Sequence, residues 1–173
     1  MMTENPDKLN NQAILLASDG AYNEAIACFK RALVIQKENY LLWFNLGVTY
    51  RDAGELHDAK RALAMAYQIA PDKPDVAETY ATIALMLKQL QEVKRICEDG
   101  LDYNPLNVQL WNLMGVADFQ MEDFEEAAEF FEQAVSINPY YLDALYNLRD
   151  TYSVLKNKNG EAECDAKIRE LEK

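Results

Sequence analysis

The chain has 173 residues, enough for one ordinary domain or one short repeat array, and half of them are hydrophobic. Six glycines and five prolines argue against disorder and against a turn-rich all-β fold. Twenty-nine acidic residues against seventeen basic ones give a net charge of −12, a field that repels phosphate backbones and excludes nucleic acid as an expected partner.

From the N-terminus, residues 1–5 read as a short tail with no basic stretch leading into an apolar one, so no secretory signal is expected; a fragment of a longer chain would read the same way. Asn5-Pro6 then opens a helix, because proline's missing N–H costs little in a first turn. Further on, Leu42 to Asp52 carries Trp43, Leu46, Gly47 and Tyr50 at spacings of three and four, which predicts a helix rather than a strand. Ala53-Gly54-Glu55 is a turn, and Leu56 to Ala70 resumes with Leu56, Ala59, Leu63 and Ala66 on one face. It stops before Pro71, which pushes the preceding residue out of the α region. Lys73-Pro74 starts the next helix as Asn5-Pro6 did the first.

These elements recur at a fixed step. Gly20 and Gly54 are 34 residues apart, as are Ala25 and Ala59, Ala32 and Ala66, and the series Pro71, Pro105, Pro139. Trp43 and Trp111, and Gly47 and Gly115, are separated by twice that step. One frame therefore divides 6–173 into helix-pair units 6–39, 40–73, 74–107, 108–141 and an altered unit 142–173, expected to form a single domain. Small residues at Gly47 and Ala59 let the two helices of a unit cross closely, and Trp43, Tyr50 and Leu63 fill the remaining volume. In the third unit Gly100 stands where alanine is usual; it either admits Trp111 of the next helix or is simply tolerated, at about 1 kcal/mol of helix propensity. After Asn157-Lys158-Asn159-Gly160 a last helix is expected over 161–172, with Cys164, Ile168 and Leu171 as its apolar stripe and a polar outer face that caps the stack.

The second unit, with Trp43, Leu46, Gly47, Tyr50, Ala59, Ala66 and Pro71, resembles the tetratricopeptide-repeat (TPR) family, whose unit has this length and this pattern. The fourth keeps Trp111, Gly115, Ala127, Phe131, Ala134 and Pro139, but Met114 and Asp118 depart from it; the first keeps Ala25, Phe29 and Ala32. The resemblance implies an all-α fold: an α-solenoid of stacked antiparallel helix pairs wound as a right-handed superhelix, about four and a half to five repeats long.

The residues present no catalytic constellation. His57 has no nucleophile near it in sequence, no phosphate-cradling glycine loop is present, and Glu122 to Glu129 is an acidic loop and helix N-terminus complementing the macrodipole. No cofactor, metal or catalytic residue is expected. Cys28, Cys97 and Cys164 lack ligand spacing and read as buried small hydrophobes in a reducing compartment. The longest apolar run, Ile83 to Leu87, is too short for a bilayer, so a cytoplasmic protein without membrane insertion is expected.

The resemblance further implies a concave groove lined by the first helix of each unit, where a protein or peptide partner binds. In this chain it selects Asn10, Asn11, Phe44, Asn45, Val48, Arg51, Thr82, Leu85, Met86, Asn112, Val116, Phe119, Tyr146 and Asn147. Asn11, Asn45 and Asn147 hold equivalent frame positions, and an amide row grips an extended backbone; the alternative is that each satisfies local groups. The apolar members suit adaptable binding, or else pack between repeats or serve a homo-oligomer. Asp75, Glu78, Asp143 and Asp150 stand where a carboxylate clamp would need cations, so that mode is not expected. An adaptor, scaffold or chaperone-like module is the leading reading, with structural self-association and a small acidic secretion-type chaperone as alternatives.

Overall fold

The computed structural model describes residues 4–173. Ten α-helices and no strand occur among them: α1 Pro6–Ser18, α2 Tyr22–Ile35, α3 Tyr40–Asp52, α4 Leu56–Ile69, α5 Pro74–Met86, α6 Leu90–Tyr103, α7 Val108–Gln120, α8 Phe124–Ile137, α9 Leu142–Val154 and α10 Lys158–Leu171. First helices thus begin at 34-residue intervals. The helices gather into two compact units, α1 to α5 ending at Leu87 and α6 to α10 beginning at Lys88.

Capping chemistry sets the starts. Asn5, Asn39 and Asn107 share one frame position, and each side chain accepts N–H bonds from the first turn it precedes: Asp7 and Lys8, Leu41 and Leu42, and Leu110 respectively. Lys73 takes that place before Pro74, whose fixed φ suits a first turn. The first helices also end alike. In α1, α3, α7 and α9 the N–H three residues past the end returns to the last turn, as in Ala21 to Leu16, Glu55 to Tyr50, Asp123 to Asp118 and Asn157 to Tyr152, the 6→1 bond of a Schellman ending. That motif needs a residue at positive φ. Gly20 and Gly54 supply it at 79° and 81°, while Glu122 and Lys156 hold it at 67° and 58°; Lys88, just past α5, also has a positive φ of 56°.

In the first unit α1 packs on α2, α3 on both α2 and α4, and α4 on α5. Gly47 is where α3 crosses α4: a Cβ there would lie 2.6 Å from Leu63 Cγ and 3.3 Å from the Ala59 carbonyl oxygen. Ala59, Leu63 and Ala66 are wholly buried. In the second unit Gly115 on α7 plays the same part against the ring of Phe131 on α8, at 2.6 to 2.8 Å. Its core gathers Ala127, Phe131, Ala134, Leu145, Leu148, Cys164 and Ile168. Trp43 and Trp111 each donate the indole N–H to the connection behind them, to the carbonyls of Lys37 (2.7 Å) and Pro105 (2.9 Å), locking connection to helix.

Two expectations shift in detail. Helix α10 begins at Lys158, not 161, because Asn157 accepts from the Gly160 N–H and caps it earlier. Gly160 is accordingly a helical residue rather than a turn residue, and the Tyr152 ring lies 2.5 Å from where its Cβ would stand. Cys28, Cys97 and Cys164 are free and buried as expected, and His57 is exposed.

Asp118 departs from the aromatic found at its frame equivalents Tyr50 and Tyr152. It is fully buried on α7; Oδ1 accepts from Lys94 Nζ of α6 at 2.7 Å, and Oδ2 has no partner. The same ammonium lies 5.8 Å from the Phe130 ring centroid, so a desolvated carboxylate is held by one cation that leans on an aromatic face.

Candidate partner-binding recesses

Consecutive first helices are joined by an amide bridge in both units. Between α1 and α3, Asn45 Nδ2 donates to Asn10 Oδ1 at 3.1 Å; between α7 and α9, Asn147 Nδ2 donates to Asn112 Oδ1 at 2.9 Å. The bridge links neighbouring frame positions rather than identical ones. One turn on, Thr49 and Thr151 donate their buried hydroxyls to the Asn45 and Asn147 carbonyls at 2.8 and 2.7 Å. These bonds satisfy polar groups that would otherwise be costly to bury.

Beside each bridge lies a recess. The first, about 200 Å³, is walled by Ile14, Ala17 and Ser18 of α1 and by Asn45, Val48, Thr49 and Asp52 of α3, over a floor of Phe29. The second, about 270 Å³, is walled by Val116, Phe119 and Gln120 of α7 and by Asn147 and Asp150 of α9, over Phe131. They are one construction repeated three units apart. Ile14 answers to Val116, Ala17 to Phe119, Phe29 to Phe131, Asn45 to Asn147 and Val48 to Asp150. Floor and amide are kept, and the rim changes.

The first rim is aliphatic apart from Asp52, which pairs with Arg51 at 2.8 Å. The second is aromatic and charged. Phe119 meets Phe124 edge-on with centroids 5.2 Å apart, and Arg149 pairs with Asp150 at 2.7 Å and reaches Asp165 at 3.7 Å. The hydrogen bond to Asp150 raises the Arg149 pKa above its ordinary value.

Of the groove residues expected from sequence, Asn45 and Val48 line the first recess and Val116, Phe119 and Asn147 the second. Phe44 and Arg51 are half-buried on α3 outside the recess walls, and Asn11 is exposed on α1, where Asn10 makes the bridge instead. Asn112 is 6 % exposed, its amide oxygen committed to Asn147 rather than offered outward. Tyr146 donates its hydroxyl to Glu172 and lies under Arg149, 5.0 Å from ring centroid to guanidinium; the Glu172 bond raises the phenol's pKa. Thr82 and Leu85 are half-buried on α5, the Thr82 hydroxyl bonded to the Glu78 carbonyl, and Met86 is half exposed. Asn10 lies on the expected groove face of α1 beside Asn11, whereas the floor residues Phe29 and Phe131 carry no binding signal in the sequence. The phenylalanines sit at the family's aromatic core position and read as pure packing, and Asn10 is one step out of the asparagine register.

No group of three His, Cys, Asp or Glu able to hold a metal occurs among the described residues, and none of their helices is long and apolar enough to cross a membrane.

Residues 23–140 match the family described as the cytochrome c-type biogenesis protein H TPR domain. Cytochrome c-type biogenesis protein CycH of Pseudomonas aeruginosa is 28% identical over 119 residues, covering 67% of this chain and 29% of that protein. BBSome complex member BBS4 of Bos taurus is 26% identical over 173 residues, covering 96% of this chain and 33% of that protein. The chain thus spans a third or less of these curated relatives. Among solved structures, MamA from Desulfovibrio magneticus superposes with a TM-score of 0.86 at 19% identity, covering 99% of this chain and 97% of that one. YrrB, described as a TPR protein with an unusual peptide-binding site, gives 0.75 at 20% identity, covering 94% and 84%. These likenesses show the fold, an all-α α-solenoid of TPR helix pairs.

Proposed function

Because the chain belongs to the family of cytochrome c-type biogenesis protein H tetratricopeptide-repeat domains, we propose that it is a non-enzymatic protein-binding module whose first-helix recesses each take an apolar side chain from a partner's peptide or helical segment. One observation carries this reading. The same recess, with a phenylalanine floor and an asparagine in its wall, is built twice on one frame while its rim varies. A preserved floor suits a general apolar anchor, and a varied rim suits selection among neighbouring residues of the partner. Asn45 and Asn147 each spend one N–H on the internal bridge and retain amide groups for a peptide backbone. The three buried thiols support a reducing compartment such as the cytoplasm.

A photoreactive residue placed at Val48 or Val116, with crosslinked products identified by mass spectrometry, tests this. Expected are adducts with a different protein from both positions, lost on Asn45→Leu and Asn147→Leu respectively. Adducts only with other copies of the chain would transfer the recesses to self-association, and labelling no greater than from a second-helix control at Glu24 would remove them as a binding site.

A further inference from the structure

The second helices of the first unit carry a groove that the recesses do not explain. Between α2 and α4, over α3, a depression of about 800 Å³ is floored by Trp43, Leu46 and Tyr50 and flanked by the exposed side chains of Val34 and Met65. Its rim holds Lys30, Lys37 and Arg61 against one carboxylate, Asp58, in a chain whose net charge is −12. Lys30 stands 5.6 Å over the Tyr50 ring, and Arg61 is paired with Asp58.

The second unit shows why this groove is open. Two repeats on, Trp111 answers to Trp43, and Phe130 of α8 lies over it with centroids 5.9 Å apart and planes at 29°. The frame equivalent of Phe130 on α4 is Ala62. The chain therefore stacks its own phenyl ring on one half-buried indole and carries only a methyl group at that place beside the other. Three repeats on, between α8 and α10, the equivalent depression shrinks to about 340 Å³, Leu145 replaces the indole, and Glu132 and Glu163 stand where Lys30 and Arg61 do. Both the space and the positive rim belong to the first unit's groove.

We propose that this groove is a second binding site, for a short acidic segment of a partner protein that lays one aromatic side chain on Trp43 in the place Phe130 fills over Trp111. The cations of the rim select flanking carboxylates, and the indole face without a stacked ring selects the aromatic side chain. The site lies on the face made by second helices and is distinct from the first-helix recesses.

The test uses the full chain and a fluorescently labelled, end-blocked peptide of four glutamates around one phenylalanine, followed by anisotropy. Saturable binding is expected, weakening at least about tenfold when alanine replaces the peptide's phenylalanine or when salt is raised to about 0.5 M. Ala62→Phe should abolish it, and Lys30→Glu with Arg61→Glu should weaken it about tenfold or more. Both variants reproduce residues the same chain already carries at equivalent positions, so circular dichroism should report an unchanged fold. Equal binding of a peptide with lysines in place of the glutamates, unchanged binding by Ala62→Phe, or no binding by the wild-type chain at millimolar peptide would each overturn the proposal. So would a concentration-dependent dimer that Ala62→Phe dissolves, since the occupant would then be a second copy.

Discussion

Helix pair α3/α4 of the first unit and helix pair α7/α8 of the second are laid on the same frame, yet they meet the same demands differently. The first turns out of α3 with Gly54, packs Gly47 against Leu63, and puts Tyr50 at the helix-pair position where the second holds Asp118. The second holds its positive-φ turn with Glu122, packs Gly115 against a phenyl ring, and buries a carboxylate that one lysine answers. A frame of this kind fixes where helices cross. It leaves each unit to find its own way of filling the crossing, and the second unit has adopted the more costly residues at several points.

Those points can be separated by measurement. The largest difference should come from Lys94→Met. It leaves Asp118 fully buried with no counter-charge, and removing one partner of such a pair costs about 3 kcal/mol or more in chemical denaturation. Combining it with Asp118→Tyr, which restores the residue type of Tyr50, should recover most of that loss. If Lys94→Met alone proves silent, the ion pair does not hold α6 to α7. Next, Gly115→Ala should destabilise by about 1–3 kcal/mol and by more than Gly47→Ala, because a new Cβ meets three ring atoms of Phe131 inside 3 Å where Gly47 meets one branched carbon of Leu63. Equal denaturation midpoints for the two would mean the ring moves as readily as the leucine. Smaller still, Glu122→Gly and Lys156→Gly should each stabilise by about 1 kcal/mol by relieving a left-handed backbone, whereas Gly20→Ala and Gly54→Ala should lose about as much.

The smallest effect is one of pH. Burial raises the Cys97 thiol from 9.0 to about 12. The native state therefore favours the neutral thiol; its contribution is intact below pH 9 and is lost as pH rises from there toward 12. At about pH 9.5 the loss should be under about 1 kcal/mol, read as the difference in denaturation midpoint between wild type and Cys97→Ala relative to the same difference at pH 7. Cys97 holds the frame position of Leu63, so the first unit has no matching term.

The repeat frame and both helices of each pair were legible in the sequence, because proline, glycine and small residues at crossings mark backbone requirements that few other residues meet. The sequence starts the last helix three residues late, since Asn157 to Gly160 carries the composition of a turn, and only the contact of Gly160 with Tyr152 makes the glycine a packing residue. The recesses were half legible. Asn10, Val48, Val116 and Phe119 fall on the expected face, but the amide bridge joins positions one step out of register, so the repeat frame pairs Asn11 with Asn45 where the structure pairs Asn10 with it. Asp118 reads as a departure from the repeat pattern, yet its partner lies 24 residues back on another helix, a distance no local pattern encodes. The open indole was invisible for a related reason: Ala62 is unremarkable until Phe130 is found doing its work elsewhere.

Trp43 and Trp111, the chain's two tryptophans, fall one in each unit, and each is tied through its indole nitrogen to the connection before it. The protein thereby carries a separate native fluorophore for each half. With Trp111→Phe or Trp43→Phe, emission during denaturant titration follows one unit at a time, so the two halves can be seen to melt together or in sequence. In an array stabilised by nearest neighbours, that comparison measures how cooperatively the halves are coupled without adding an external label.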